Sequence, residues 1–304
     1  MLVMVFNIFK MNKIQLQIAT FFLFTTIGFA QPYTDIASFT YQHFSSHYVD
    51  NPALKNQTDN YLLNLFYPKQ FKNGNIFLLK INAELLYSSI NLEEKNTSNV
   101  SSVAMPIGFQ WVSKSKKWKT VLMGIPKLAS NFESTITSKD FQYGGLLLEN
   151  YDVNQNLKLK AGLYYNREAF GNFFVPLLGV DWKATDRIYF YGILPSNYKI
   201  EFNVVKNKVY TGLDFKWVTR SFYLSNTTDY IRFDETLLKL FAECFIFKNI
   251  LLSAEAGYSF GKSPLQYDTA SDALSAADVI YTPLKKYPVF NFGISYRIRN
   301  DAGK

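Results

Sequence analysis

Residues 208–218, KVYTGLDFKWV, alternate in character. Val209, Thr211, Leu213, Phe215 and Trp217 are apolar or β-branched, while Tyr210, Gly212, Asp214 and Lys216 carry the polarity and the smallness. Successive side chains of a strand point to opposite faces, so this stretch reads as a strand with one apolar and one wet face. The same pattern recurs to the end of the chain. It predicts fourteen strands, near 33–42, 58–67, 75–88, 100–112, 117–126, 140–150, 157–167, 172–183, 187–194, 198–205, 208–218, 235–247, 250–261 and 289–299. No segment shows a helical period, and no linker divides residues 31–304, which read as one domain. Pro106, Pro126 and Pro176 fall inside strand segments, where a residue without an N–H marks a bulge or a strand end.

The connections add a second pattern. Alternate joins are tight: SKSK at 113–116, DVNQN at 152–156, KATD at 183–186, and KN at 206–207 and 248–249. The other set contains every long join, at 43–57, 89–99, 127–139, 219–234 and 262–288. Short turns on one side and long loops on the other describe a transmembrane antiparallel β-barrel of the outer membrane. An even strand number, fourteen or next twelve, places both chain ends on the short-turn, periplasmic side. The loop sequences YLSNTTDYIRFDE and DTASDALSAADVIY would then face outward, toward any surface partner.

Which way the apolar face points separates a barrel from a soluble sandwich, because a sandwich alternates equally well with its apolar face inward. In the seven cleanest strands the apolar face comprises odd positions in 79–87, 103–111, 157–165 and 209–217, and even positions in 198–204, 250–260 and 290–298; none is charged. Aromatic residues gather at the ends of these faces and at other strand ends: Tyr61, Tyr67, Tyr87, Trp111, Tyr165, Trp182, Tyr198, Trp217, Tyr258, Phe260 and Tyr296. Amphipathic rings settle at headgroup depth in a membrane, and a sandwich core has no reason to keep them at its ends. The apolar face is therefore expected to meet lipid. On this register Leu213→Arg, facing lipid, is expected to cost about 2–4 kcal/mol and Gly212→Ser, facing the lumen, much less.

Composition agrees. Of 304 residues 17% are aromatic, with 28 Phe and 21 Tyr, which favour strands. The net charge of +8 is scattered singly, with no basic run beyond Lys114, Lys116, Lys117 and Lys119, so nucleic acid is not an expected partner. A lone Cys244 permits neither an internal disulfide nor a Cys/His zinc cluster. At the N-terminus, Lys10 and Lys13 precede the apolar IQLQIATFFLFTTIGFA and then Gln31: residues 1–30 read as a secretory signal peptide, with Met11 as an alternative start and no lipoprotein cysteine. Beyond residue 30 no apolar run approaches the ~20 residues of a membrane helix.

The segment GLYYNREAFGNFFVPLLGVDWKATDRIYFYGILPSN, residues 162–197, resembles the central block of a family of uncharacterised outer-membrane β-barrel proteins of Bacteroidota. FAQ at 29–31, MGIPKLAS at 123–130 and AEAGYSF at 254–260 fit the same pattern. The resemblance implies a fold and an outer-membrane location and no established activity. The chain departs from general barrel pattern at its end, where RIRNDAGK follows Tyr296 in place of a terminal aromatic read by the barrel assembly machinery.

Catalytic and metal chemistry is sparse. His43 and His47, with Asp50 nearby, have a spacing that suits a metal on a helix, yet they fall in an expected loop. A hydrolase base would have to be one of these two, and no G-x-S-x-G elbow, Walker loop, dinucleotide fingerprint or EF-hand occurs. No enzyme activity, metal or cofactor is expected. The wet faces carry the candidate lumen residues Lys80, Glu84, Lys158, Lys160, Lys199, Glu201, Asp214, Lys216, Lys239, Glu243, Glu255 and Arg297. These either pair and plug the interior or line a wet passage with a mild anion preference set by Lys158 and Lys160. The leading expectation is a monomeric barrel in outer-membrane lipid that passes a small solute. The alternatives are a plugged structural or adhesion barrel, a secreted β-sandwich that binds a ligand, and an outer-membrane hydrolase.

Overall fold

The computed structural model describes residues 32–47, 49, 55–88, 98–225, 229–260, 262–268 and 285–299. Residues 1–30 and loop residues 269–284 lie outside these. The strands are β1 (Tyr33–His47), β2 (Lys55–Gln70), β3 (Ile76–Ser88), β4 (Ser98–Ala104 with Ile107–Val112), β5 (Trp118–Ser130), β6 (Phe141–Asp152), β7 (Leu157–Glu168), β8 (Gly171–Lys183), β9 (Ile188–Leu194), β10 (Asn197–Val205), β11 (Val209–Tyr223), β12 (Asp229–Phe245), β13 (Ile250–Ser259 with Lys262–Asp268) and β14 (Tyr287–Arg299). Each pairs antiparallel with its neighbour in sequence, and β1 pairs with β14, Phe39 opposite Ile294 and Tyr41 opposite Phe292. The sheet thus closes into a fourteen-strand antiparallel barrel, which excludes the sandwich.

The joins 71–75, 113–117, 153–156, 184–187, 206–208 and 246–249 lie at the end of the barrel that also holds Tyr33 and Arg299. That is the short-turn end. All seven alternating stretches keep their apolar face outward. Phe39, Leu65, Leu85, Leu122, Leu163, Phe174, Leu178, Leu240 and Phe292, spread around the ring, are 39–71% exposed. An apolar belt of this extent does not face water. In lipid it costs nothing, and closure of the ring removes the open sheet edge that lipid would not tolerate. Trp111, Trp118 and Trp182 mark the periplasmic rim, and Tyr87 and Tyr143 the outer one. The protein is an outer-membrane β-barrel.

The prolines break the wall locally. Pro106 separates the two halves of β4, and Pro126 sits in β5 beside it. The Lys80 N–H donates to Pro106 O at 2.8 Å and the Met105 N–H to Pro126 O at 3.0 Å, but neither proline has an N–H to return. Pro176 remains within β8, opposite Leu163.

Three expectations change. His43 and His47 belong to β1, not to a loop, and share its outward face. There His43 Nδ1 lies 2.8 Å from Asp59 Oδ1, and the Tyr41 hydroxyl donates to the same oxygen at 2.6 Å. No group of three metal-capable side chains occurs among the described residues. Second, residues 219–234 are mostly strand rather than loop, since β11 runs to Tyr223 and β12 starts at Asp229. Third, Gly212 is not a tolerant position. Its φ is +157°, and a Cβ there would lie 1.8 Å from the carbonyl oxygen of Ile200 on β10.

These placements order three substitutions. Leu213→Arg puts a charge into the lipid belt and is expected to cost about 2–4 kcal/mol. Gly212→Ser is expected to cost about 1–3 kcal/mol by overpacking, although it faces the lumen. Lys216→Gln, also facing the lumen, should stay within about 0.5 kcal/mol. Reversible unfolding in lipid vesicles checks the order. A Lys216→Gln loss larger than that of Leu213→Arg would contradict the register.

Candidate functional site

The outer mouth is crossed by the upper part of the β11–β12 hairpin. β10 begins at Asn197, which lies opposite Lys216, so above that point β11 has no wall strand on one side. The sequence changes at the same place. Positions on the lipid-facing parity become Thr219, Ser221 and Tyr223, and Phe222 falls on the lumen parity. Lipid offers hydroxyl groups no partner, so the hairpin leaves the wall and turns inward. Trp217, expected in the outer aromatic girdle, instead meets Phe173 of β8 at 5.9 Å between ring centroids.

The hairpin reaches the opposite wall. Tyr223 pairs in parallel with Ser130 of β5, which lies six steps round the ring through β10, β9, β8, β7 and β6. Ser130 Oγ and the Asn131 N–H both donate to Tyr223 O at 3.0 Å. Gln142 donates to Ser221 O at 3.0 Å, and the Ser221 N–H and hydroxyl donate to Glu168 at 2.9 and 2.7 Å. Arg220 lies 3.3 Å from Glu84 on β3, across the lumen, and 2.9 Å from Glu235 on the partner strand of the hairpin. Beneath these polar contacts Phe222, Leu224, Ile231, Phe233 and Leu237 pack on Phe44, Leu86, Val100, Ala129, Tyr287 and Val289 of the wall. Burial of the five hairpin side chains is worth about 1.5–3 kcal/mol each, so about 8–15 kcal/mol as an upper bound. The hairpin thus forms a lid across the outer mouth.

The periplasmic end is crossed by aromatic rings and arginines. Tyr33 of β1 meets Tyr191 of β9 edge to face at 5.6 Å, although the two strands are six steps apart through β14, β13, β12, β11 and β10. The Tyr191 hydroxyl is 3.4 Å from that of Tyr33 and 3.1 Å from Glu201. The Arg297 guanidinium lies 3.5 Å from the Tyr33 ring centroid and donates to Asp35 at 2.6 and 2.9 Å and to Glu243 at 2.5 Å. Arg299 donates to Glu201 at 2.7 Å and lies 3.8 Å from the Tyr210 centroid. The C-terminal RIR thus has a structural part in this layer.

The twelve candidate lumen residues all fall on the inward face, but they are not equivalent. Lys160 pairs with Asp181 at 2.6 Å and Lys158 approaches Asp152 at 3.6 Å, so the wall charge expected from these two lysines is balanced. Lys199 pairs with Glu243 at 3.4 Å, and Lys239 with Asp214 at 3.3 Å and with Glu255. Glu84, Glu201 and Arg297 belong to the two closures already described. Lys80 and Lys216 have no carboxylate within 4.0 Å among the described residues. Sequence reading missed Asp35, Asp181, Arg220, Glu235, Arg299 and the tyrosines that cross the lumen. The loss of outward apolarity above Trp217 was the available signal for the lid; nothing in the chain pairs Tyr33 with Tyr191 before the ring is closed.

Between the closures lies a chamber. Lys80 and Asn64 point into it and remain exposed there, in contrast to the deeply buried Lys239 and Glu235.

No family model and no curated protein matches the chain. Among solved structures, an outer-membrane channel from Pseudomonas putida F1 is similar at 10% identity and a TM-score of 0.43, over 86% of this chain and 94% of that one. The toluene transporter TodX of P. putida gives 11% identity and a TM-score of 0.39, over 86% and 89%. The outer-membrane phospholipase of Salmonella typhi gives 8% identity and a TM-score of 0.39, over 88% and 94%. The membrane assignment rests on the barrel's own closure and apolar belt.

Proposed function

We propose that this outer-membrane barrel is a passive channel for a small solute and that it rests closed. The observation that carries the reading is the chamber: inward-facing Lys80 and Asn64 stay accessible between two closures that consist of packing, hydrogen bonds and ion pairs. A barrel needed only as a wall would gain by filling that space. Passage is placed ahead of hydrolysis because both histidines point outward, away from the chamber. The unbroken apolar belt supports a monomer surrounded by lipid, delivered by the barrel assembly machinery. Membership of the Bacteroidota family is supported by the block at 162–197, with FAQ at 29–31, MGIPKLAS at 123–130 and AEAGYSF at 254–260.

One observation favours a second reading, a structural barrel with a permanent plug: the size of the apolar core under the lid. Conductance in planar bilayers separates the two. Phe222→Ala with Phe233→Ala removes about 3–5 kcal/mol of lid packing per site. The wild type is expected to show rare, brief openings, and the double variant at least a tenfold higher open probability. A double variant that keeps the heat-modifiable barrel band yet stays silent would favour the plug.

A further inference from the structure

The interior has two unlike halves. Charged side chains concentrate on the wall formed by β10–β14. Between its own ion pairs, Lys119 with Asp152 and Lys127 with Glu168, the facing wall turns apolar side chains inward: Ile76 and Leu78 of β3, Val121 and Met123 of β5 and Leu148 of β6 form one cluster. Phe66, Leu146 and Ile193 pack against it and are only partly covered. The wall is recessed to hold the larger members, since a Cβ on Gly108 of β4 would lie 2.5 Å from Met123 Cγ. Barrel lumens are ordinarily polar, so an inward apolar patch with an uncovered edge needs an occupant other than water.

One of the two lysines with no carboxylate within 4.0 Å, Lys80, stands at the edge of this patch. Lys80 and Lys216 each precede a latch residue by four positions, Glu84 on β3 and Arg220 on β11. Four residues of strand are about 13 Å, so both ammonium groups lie below the lid, on opposite walls. Lys80 Nζ is 5.1 Å from the centroid of the Phe66 ring, at the edge of the patch. The other lumen lysines, Lys119, Lys127, Lys158, Lys160, Lys199 and Lys239, each have a carboxylate within 3.6 Å. The chamber therefore presents one cation without a carboxylate partner, Lys80, beside an apolar surface, while Lys216 on the opposite wall is within electrostatic reach of Asp214, Lys239 and Glu255. A hydrocarbon would leave the Lys80 cation without a partner, and a small inorganic anion would leave the apolar surface wet.

We propose that the chamber beneath the lid binds an amphipathic organic anion, its carboxylate at Lys80 and its apolar body on Phe66, Met123, Leu146 and Ile193. This rests on the reading that the chamber receives a solute, and it names the class of that solute.

Octanoate is a suitable probe, with acetate lacking the tail and octanol lacking the charge. Isothermal titration calorimetry is run on the whole barrel in dodecyl maltoside, against detergent alone. It uses both the wild type and the Phe222→Ala, Phe233→Ala barrel, in which the lid no longer limits entry. Saturable one-to-one binding of octanoate is expected, at least tenfold tighter than acetate or octanol. Lys80→Gln should weaken it at least tenfold while the heat-modifiable band persists; Lys80→Met serves if that variant does not fold. Octanoate binding no tighter than that of either control, or unchanged in the folded lysine variants, would overturn the proposal. A loosened barrel that conducts but does not bind octanoate would remove the ligand class and leave the channel standing. One that binds but never conducts would do the reverse.

Discussion

The hydrogen-bonded seam between β1 and β14 is the constraint on which the rest depends. With Phe39 set against Ile294 and Tyr41 against Phe292, the wall closes, and each strand can turn a predominantly apolar face to lipid. Closure also decides what happens inside. Charged residues that alternation removes from the lipid face have nowhere to go but the lumen, where a desolvated charge is tolerated only with a partner. The ion pairs of Lys160 with Asp181, of Lys239 with Asp214 and Glu255, and of Arg297 with Asp35 and Glu243 follow from that requirement.

Fourteen strands make a ring wider than side chains alone can fill. The protein closes each mouth differently. At the outer end backbone is folded in, so that a hairpin brings its own hydrophobic core. At the periplasmic end β1 and β14 contribute Tyr33, Arg297 and Arg299, and rings and guanidinium groups span the gap together with Tyr191 and Tyr210. The outer closure is stabilised mainly by apolar burial, the inner one by charge-assisted hydrogen bonds and cation–π contacts. What is left between them is the accessible chamber around Lys80.

The barrel was legible in the chain because period-two alternation and turn composition are local properties. All fourteen strands lie where the alternation places them, and Leu213 faces lipid as its neighbours require. Gly212 was misjudged because alternation reports which face a residue occupies and not how near the next strand runs; its clash is with Ile200, on β10. The hairpin was read as an outward loop because its tip is rich in Ser, Thr and Asn. The informative feature was subtler, namely that Phe222, Ile231 and Phe233 keep the lumen parity after the lipid parity has become polar. Partners across the ring, such as Arg220 with Glu84, were not legible at all, since strands six steps apart meet only through the curvature of the closed sheet.

The position of the hairpin tip is the point on which the account turns, and a cross-link reads it directly. Ser130→Cys with Tyr223→Cys, in a Cys244→Ser background, places two thiols on strands that pair across the lumen. Neighbouring strands lie about 4.7–4.9 Å apart, within the span of a disulfide. Mild oxidation of intact outer membranes is expected to give a cross-linked species in most molecules, seen as a reductant-sensitive mobility shift under denaturing conditions. Absence of that species in correctly folded barrels would mean that the hairpin does not cross the mouth, and would contradict the closed resting state.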